Sequence, residues 1–570
     1  MKINGYELAL TEEQLDEILD SKTRHINFVD ETFSGYQNLT DGNKKALQHL
    51  VAAAKYFNTV AAEQDHELNL LLQKGLEQAA ATSSHAAKAL KLFNMFRGVE
   101  GHNGVDLQPI ELFKGVKGAK GRNFYPSDLT VPEFFKIIKQ MLEEGKDDEV
   151  RKILSVRTMV RRDGQYLKAI DYTEYFADIF SKVANELEVA AHYTTDEDFK
   201  DYLGWQAQAL LQNNEDMDML ADKHWAVLQN NNQLEFTLSR ESYDDELTPE
   251  IYNNPELLQM LESRRIEVNA KDMLGVRVGI VNKQGTDLIL RFKSYMPELA
   301  KLMPLSEQYT QSVAEGGELK QTMVDADIVI LTGDYAQCRG GVTTAQNLPN
   351  NDKLSIKTGG GRRNVYHRQI RQSYDAERTK KLLERLVAPE YHQYFDVETD
   401  HLFVIGHENG HSLGPDNTYQ RSLGNYKSVI EEHKADMVSI TFMPEYVKAG
   451  VIDDEMLKKI YTTWVVYRLF LKAQPVEVHR VAELIHFNYL LERGAFYFDS
   501  EHKVHICFDK FHDAAWSLLR DTVELQLSKS PQKAKEFIDR YTAWGEHSQY
   551  IAKVQQELGL KNYIDLESHF

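Results

Sequence analysis

Two histidines four residues apart, His407 and His411, stand in the segment HLFVIGHENGHSLGPD with Glu408 beside the first. On a helix that spacing puts both imidazoles on one face, within reach of one cation. Glu408, one step round, cannot easily ligate with them but can act on a water at the metal. Gly414-Pro415 is expected to stop this helix. Twenty-one residues beyond His411 comes Glu432, in VIEEHKADMVSITFMPE. There Val429, Glu432, Asp436 and Ile440 form one helical stripe, with Pro444 expected to close the segment. A second helix packed on the first would bring Glu432 to the cation as third ligand. Glu431 is the alternative ligand, on a stripe through Ala435, and His433 reads as a bystander. Asp436, one turn beyond Glu432, is placed to accept the free ring N–H of a ligating histidine.

Three protein ligands with an open fourth position describe a catalytic rather than a structural zinc site. The chemistry implied is hydrolysis of a peptide bond, in which Glu408 takes a proton from water and passes it to the leaving amine. One Zn2+ per chain is expected, although cobalt or manganese would suit the same donors. No covalent route competes, because the chain has no GxSxG elbow and neither Cys338 nor Cys507 sits in a Cys/His setting.

The elements that must position these residues change along the chain. Residues 1–230 show apolar side chains at three- and four-residue spacing, as in KKALQHLVAAAKYF and ADIFSKVANELEVAAHY, and read as helices. Between them residues 96–128 are Gly- and Lys-rich loop. From about 234 the runs LEFTLSRESYDDEL, VRVGIVNK, TDLILRF and DADIVILTGD read as strands. Long helices return from about 375. The expected class is α+β, predominantly helical, with strands in the middle third. KTGGGRRN (357–364) lacks the phosphate-loop spacing and reads as a turn between strands.

With 66 basic and 87 acidic residues among 570, the net charge is −21, which excludes nucleic acid and anionic membrane surfaces as natural partners. Two cysteines make no disulfide framework, and no apolar run reaches the roughly 20 residues needed to span a bilayer. The N-terminus shows no basic start followed by an apolar stretch, so cytoplasm is the expected compartment.

HENGHSLG paired with EEHKAD resembles the active-site helices of the dipeptidyl peptidase III family of zinc peptidases, in its short bacterial and plant-like branch. Three further stretches match in order: Arg240-Glu241-Ser242-Tyr243-Asp244, QNLPNND (346–352) and HRVAELIHFNYLLERG (479–494). The resemblance covers roughly residues 200–495. It implies zinc on the second glutamate, Glu432, with Glu431 and Asp436 in the surrounding ring of carboxylates. It implies that Glu241, Asn347 and Asn350 anchor the free α-amine of a short peptide, and that Tyr243 and His479 donate hydrogen bonds to the oxyanion. The activity implied is release of dipeptides from the N-terminus. A zinc aminopeptidase or oligopeptidase with other spacing, and an inactive peptide-binding relative, are the competing readings.

The implied fold is two lobes around a wide cleft, a helical lobe carrying zinc and a lobe with a β-barrel core. Applied to this chain, 1–278 is lower lobe, 279–325 an upper-lobe segment and 326–375 lower-lobe strands with the substrate loop. Residues 376–535 are then the zinc-binding lobe and 536–570 a C-terminal helical segment. Some relatives carry a nucleoside-diphosphate hydrolase domain, but its box is not seen here. Residues 246–272 are extra sequence, expected to narrow or reshape the cleft.

Overall fold

Alternating and fully apolar runs in the middle third pair into one five-stranded sheet. Its strands are β1 (Leu234–Glu241), β2 (Met273–Asn282), β3 (Gln321–Gly333), β4 (Ala345–Leu348) and β5 (Arg362–His367). The structure, a computed structural model, describes residues 1–212, 215–226, 228, 232–241, 244–309, 321–337, 345–348, 362–372 and 375–570. The spatial order is β4-β5-β3-β2-β1. β3 and β5 run parallel, with Val324 opposite Val365, and the other neighbours are antiparallel. A bulge between Ile328 and Ile330 bends the central strand. Among the described residues, the barrel expected from the resemblance is an open sheet with edges at β1 and β4, half a barrel rather than a closed one.

β2 is buried on both faces, so its neighbours are protein on each side. The helix Asp41–Asp65 packs on β2 and β3. Arg277 of β2 donates to Thr237 (2.8 Å) and meets His367 (2.6 Å), while the fully buried Arg363 pairs with Glu235 at 2.9 Å. Each buried charge there has a partner, as burial demands.

TDLILRF is not a strand. Lys283–Ser294 is helical, capped by the Asn282 side chain on the Gly285 N–H at 2.9 Å. The short apolar run misleads because Ile289 and Phe292, three apart, are buried by a helix just as well. With Met296, Leu299 and Met303 they join the core cluster of the helices beyond residue 380, whereas most of the helices before 230 share a second large cluster with the sheet and the helices Asn69–Ala80 and Ser84–Phe96 pack in a smaller one.

The extra segment 246–272 lies within that second core. Leu247, Ile251, Leu257, Leu261 and Ile266 are buried there, on or beside the 3-10 helix Thr248–Asn253 and the helix Pro255–Ser263. Its apolar content goes into the core. No helix among the described residues is long and apolar enough to cross a membrane.

Candidate metal centre

The HENGH helix runs Asp400–Gly410, and the EEHKAD helix runs Lys427–Lys448. Both differ from the expected bounds. The first ends at Gly410 rather than at Gly414-Pro415, but His411 as C-cap keeps helical angles (φ −61°, ψ −26°), so the four-residue stacking survives. The second continues a turn past Pro444, because the packing of Ile440, Phe442 and Met443 outweighs the one backbone hydrogen bond that proline forfeits.

The two helices approach closely because small residues face each other. A Cβ added at Gly410 would lie 2.7 Å from the Ala435 carbonyl oxygen and 2.9 Å from its Cα, and Gly406 is equally blocked by Ser439. Only at this separation do side chains as short as His and Glu meet. Gly410→Ala should gain up to about 1 kcal/mol of helix propensity but lose about 1–3 kcal/mol to overpacking. A lower Tm with weakened zinc binding is the expected outcome of a thermal and metal titration.

His407 Nε2 and His411 Nε2 are 3.1 Å apart, and Glu432 Oε2 lies 3.4 and 3.6 Å from them. For bonds of about 2.0–2.1 Å, ligand atoms of a tetrahedral zinc stand about 3.3 Å apart, which these three sides bracket. Glu432 Oε2 is buried and accepts no hydrogen bond. Such an oxygen between two ring nitrogens fits a shared cation and is costly without one. The donor set therefore suits zinc.

The other ring nitrogens are held. His407 Nδ1 bonds Asp436 Oδ1 at 2.6 Å, and His411 Nδ1 bonds Glu431 Oε1 at 2.9 Å. Each carboxylate takes an Nδ1–H and so leaves the Nε2 lone pair free for the metal. Burial opposes a charged imidazole at both histidines, but the carboxylates prevail: Asp436 and Glu432 hold His407 well above the ordinary range, and Glu432 and Glu431 raise His411. Burial likewise opposes ionisation of Glu432 and Asp436, yet the neighbouring imidazoles pull both carboxyls down. Asp436→Asn should weaken zinc binding about 10- to 100-fold with the fold intact, as read by competition with a chelating dye.

Lys434, a charged residue in a charge-rich stretch, carries no role in the sequence analysis. It is fully buried, donates to the carbonyls of Gly410 (2.9 Å) and Leu413 (2.7 Å), and pairs with Glu431 at 3.0 Å. It thus caps the HENGH helix and steadies the carboxylate behind His411. Once both imidazoles are deprotonated as ligands, Glu431, Glu432 and Asp436 against Lys434 leave two net negative charges, which a divalent cation balances. His433 is fully buried and stacks on His486, ring centroids 4.7 Å apart, away from the three donors.

Glu408 is buried, 8% exposed, beside His407. His479, in the first turn of the helix Val478–Glu492, brings Nδ1 to 3.4 Å from Glu432 Oε2 and keeps its side chain 52% exposed. Tyr243 and Asn350 lie outside the described residues, as does Cys338. Glu241 and Asn347 are described by backbone only, Glu241 opposite Met273 on β1 and Asn347 opposite Asn364 on β4. A second trio, His25, Asp565 and Glu567, is more open to solvent, with His25 Nδ1 3.3–3.4 Å from an oxygen of each carboxylate.

A helical protein with an open mixed sheet and a two-helix His-His-Glu centre defines the class, and solved structures share the fold. Dipeptidyl peptidase III from Caldithrix abyssi superposes with a TM-score of 0.80 over 97% of this chain and 98% of its own, at 24% identity. The dipeptidyl-peptidase III from Corallococcus sp. strain EGB gives 0.76 over 98% and 97%, at 19% identity. The fold is that of these dipeptidyl peptidase III structures. Among curated proteins, Nudix hydrolase 3 of Arabidopsis thaliana is 22% identical over 88% of this chain and 68% of its own length. No sequence-family model matches the chain.

Proposed function

We propose that the chain is a zinc-dependent exopeptidase that releases dipeptides from the N-terminus of short peptides. The observation that carries this reading is the convergence of His407 Nε2, His411 Nε2 and the unpartnered Glu432 Oε2, within a fold shared with dipeptidyl peptidase III structures.

His407, His411 and Glu432 hold the metal. Zinc in such a site lowers the pKa of water to about 7 and polarises the scissile carbonyl. Glu408 takes the proton from the attacking water and delivers it to the leaving amine. Its low exposure supports that role, because a carboxylate screened from bulk solvent keeps the proton within the site. His479, exposed yet beside Glu432, donates to the developing oxyanion, and Tyr243 joins it. Asp436 and Glu431 fix the ligand tautomers.

Glu241, Asn347 and Asn350 pair with the substrate α-amine, which sets the distance from peptide N-terminus to cut. We assign residues 376–535 with 279–325 to a zinc-bearing lobe and the sheet with the N-terminal helices to the opposing lobe. The division of the apolar core into two large clusters supports that assignment.

Mass spectrometry of products from defined tetrapeptides, free and N-acetylated, tests the reading. Dipeptides from the free peptides and no cleavage of the acetylated ones are expected. Single residues, internal cuts or indifference to acetylation would contradict amine anchoring.

A further inference from the structure

On the helix Asp400–Gly410 and its C-cap, Asp400, Phe403, His407 and His411 follow at three- and four-residue steps and share one stripe. The last two are the candidate zinc ligands. The first two meet a single residue of another segment, Arg468. Its guanidinium holds Asp400 by two parallel bonds, Nε to Oδ1 at 2.7 Å and Nη2 to Oδ2 at 2.6 Å. The same group lies over the Phe403 ring, 5.2 Å from its centre. Phe403 in turn packs against Trp464, ring centroids 6.0 Å apart, and against the His407 ring at 6.2 Å with the planes tilted by 47°.

Arg468 sits in a π-helical turn, Val465–Leu469, that continues the helix Asp454–Trp464. Such turns are rare and gather at functional sites. The bidentate pair is not needed merely to dock the two segments. Thr463 Oγ1 already donates to the Asp396 carbonyl (3.1 Å) and accepts from the Asp396 N–H (2.9 Å), just ahead of the ligand helix. Phe403, Trp464, Val465 and Leu469 also share one apolar core. What the fork of Arg468 adds is orientation, because two parallel bonds to a carboxylate only 8% exposed fix its plane as well as its distance. That plane governs the roll of the helix, and the roll aims His407. Asp436 then holds the imidazole through Nδ1, while Phe403 packs on the ring itself.

We infer that Arg468 is a positioning residue for the metal: through Asp400 and Phe403 it sets the roll of the ligand helix and the tilt of the His407 ring. It acts through these two side chains and not as a ligand. The inference rests on the zinc reading of the site.

The test uses the full chain as wild type, Arg468→Met, Arg468→Lys and the double variant Arg468→Met with Asp400→Leu. Three quantities are read: zinc Kd by competition with a chelating dye, the visible absorption spectrum of the cobalt-loaded protein, and Tm. Arg468→Met should weaken zinc binding about tenfold and alter the cobalt spectrum even at saturating metal. Arg468→Lys, which keeps the charge but not the fork, should fall between it and wild type. The double variant removes the unpaired buried carboxylate, so its Tm should recover toward wild type. Its zinc affinity and cobalt spectrum should stay altered, which a purely structural ion pair does not predict. A wild-type Kd and spectrum in Arg468→Met or in the double variant would overturn the inference. So would affinity that recovers in step with Tm, and the double variant decides the matter even if Arg468→Met fails to fold. A wild-type chain that binds neither zinc nor cobalt would instead sink the zinc reading, and the positioning role with it.

Discussion

Glu408→Gln should lower kcat by roughly 10²–10⁴-fold while zinc content and thermal stability stay near those of the unaltered chain. The amide keeps the shape of the side chain, which is buried beside His407, but cannot accept the proton of water. Nor can it deliver one to the leaving amine. Because the substitution leaves His407, His411 and Glu432 in place, the loss should appear in kcat rather than in metal binding. Elemental zinc analysis beside steady-state kinetics makes the check, and a variant retaining most of its kcat would remove Glu408 from the chemistry.

Glu432→Ala should have the larger effect on the metal itself. It deletes one of three donors and half of the net negative charge left by Glu431, Glu432, Asp436 and Lys434. Losing an outer carboxylate costs about 10- to 100-fold in affinity, so losing the ligand should cost more, on the order of 10³-fold. Activity should fall with the zinc and return in part only at high added metal. The two variants separate neatly, since Glu408→Gln is inactive and loaded whereas Glu432→Ala is inactive because it is empty.

The donors were legible in the sequence because helical stacking over four residues is a local property of His407 and His411, and a stripe analysis suffices to nominate Glu432 and Asp436. What brings the two helices together was not legible by that route. Gly406 and Gly410 face Ala435 and Ser439, a pairing of small residues spaced by four on both helices. The signal was present as Gly-x-x-x-Gly running through HENGH, but it has meaning only once a partner helix is known. Lys434 was hidden for a similar reason. A lysine in a charged run is normally solvated, and only the carbonyls at the end of the neighbouring helix make its burial favourable.

At the level of fold, helical texture before 230 and after 375 and the strands between them could be read from periodicity. The helix Lys283–Ser294 could not, since a short apolar run serves a strand or a buried helix equally. The parallel pairing of β3 with β5, across the intervening β4, is a long-range choice that no local pattern encodes.

X-ray absorption at the zinc edge, on protein loaded to saturation and dialysed, tests the central claim most directly. One zinc per chain is expected, with nitrogen and oxygen ligands at about 2.0–2.2 Å, two imidazoles among them and no sulfur. Substoichiometric metal at saturation, a sulfur shell, or zinc retained unchanged when His407, His411 and Glu432 are all replaced by alanine would contradict it.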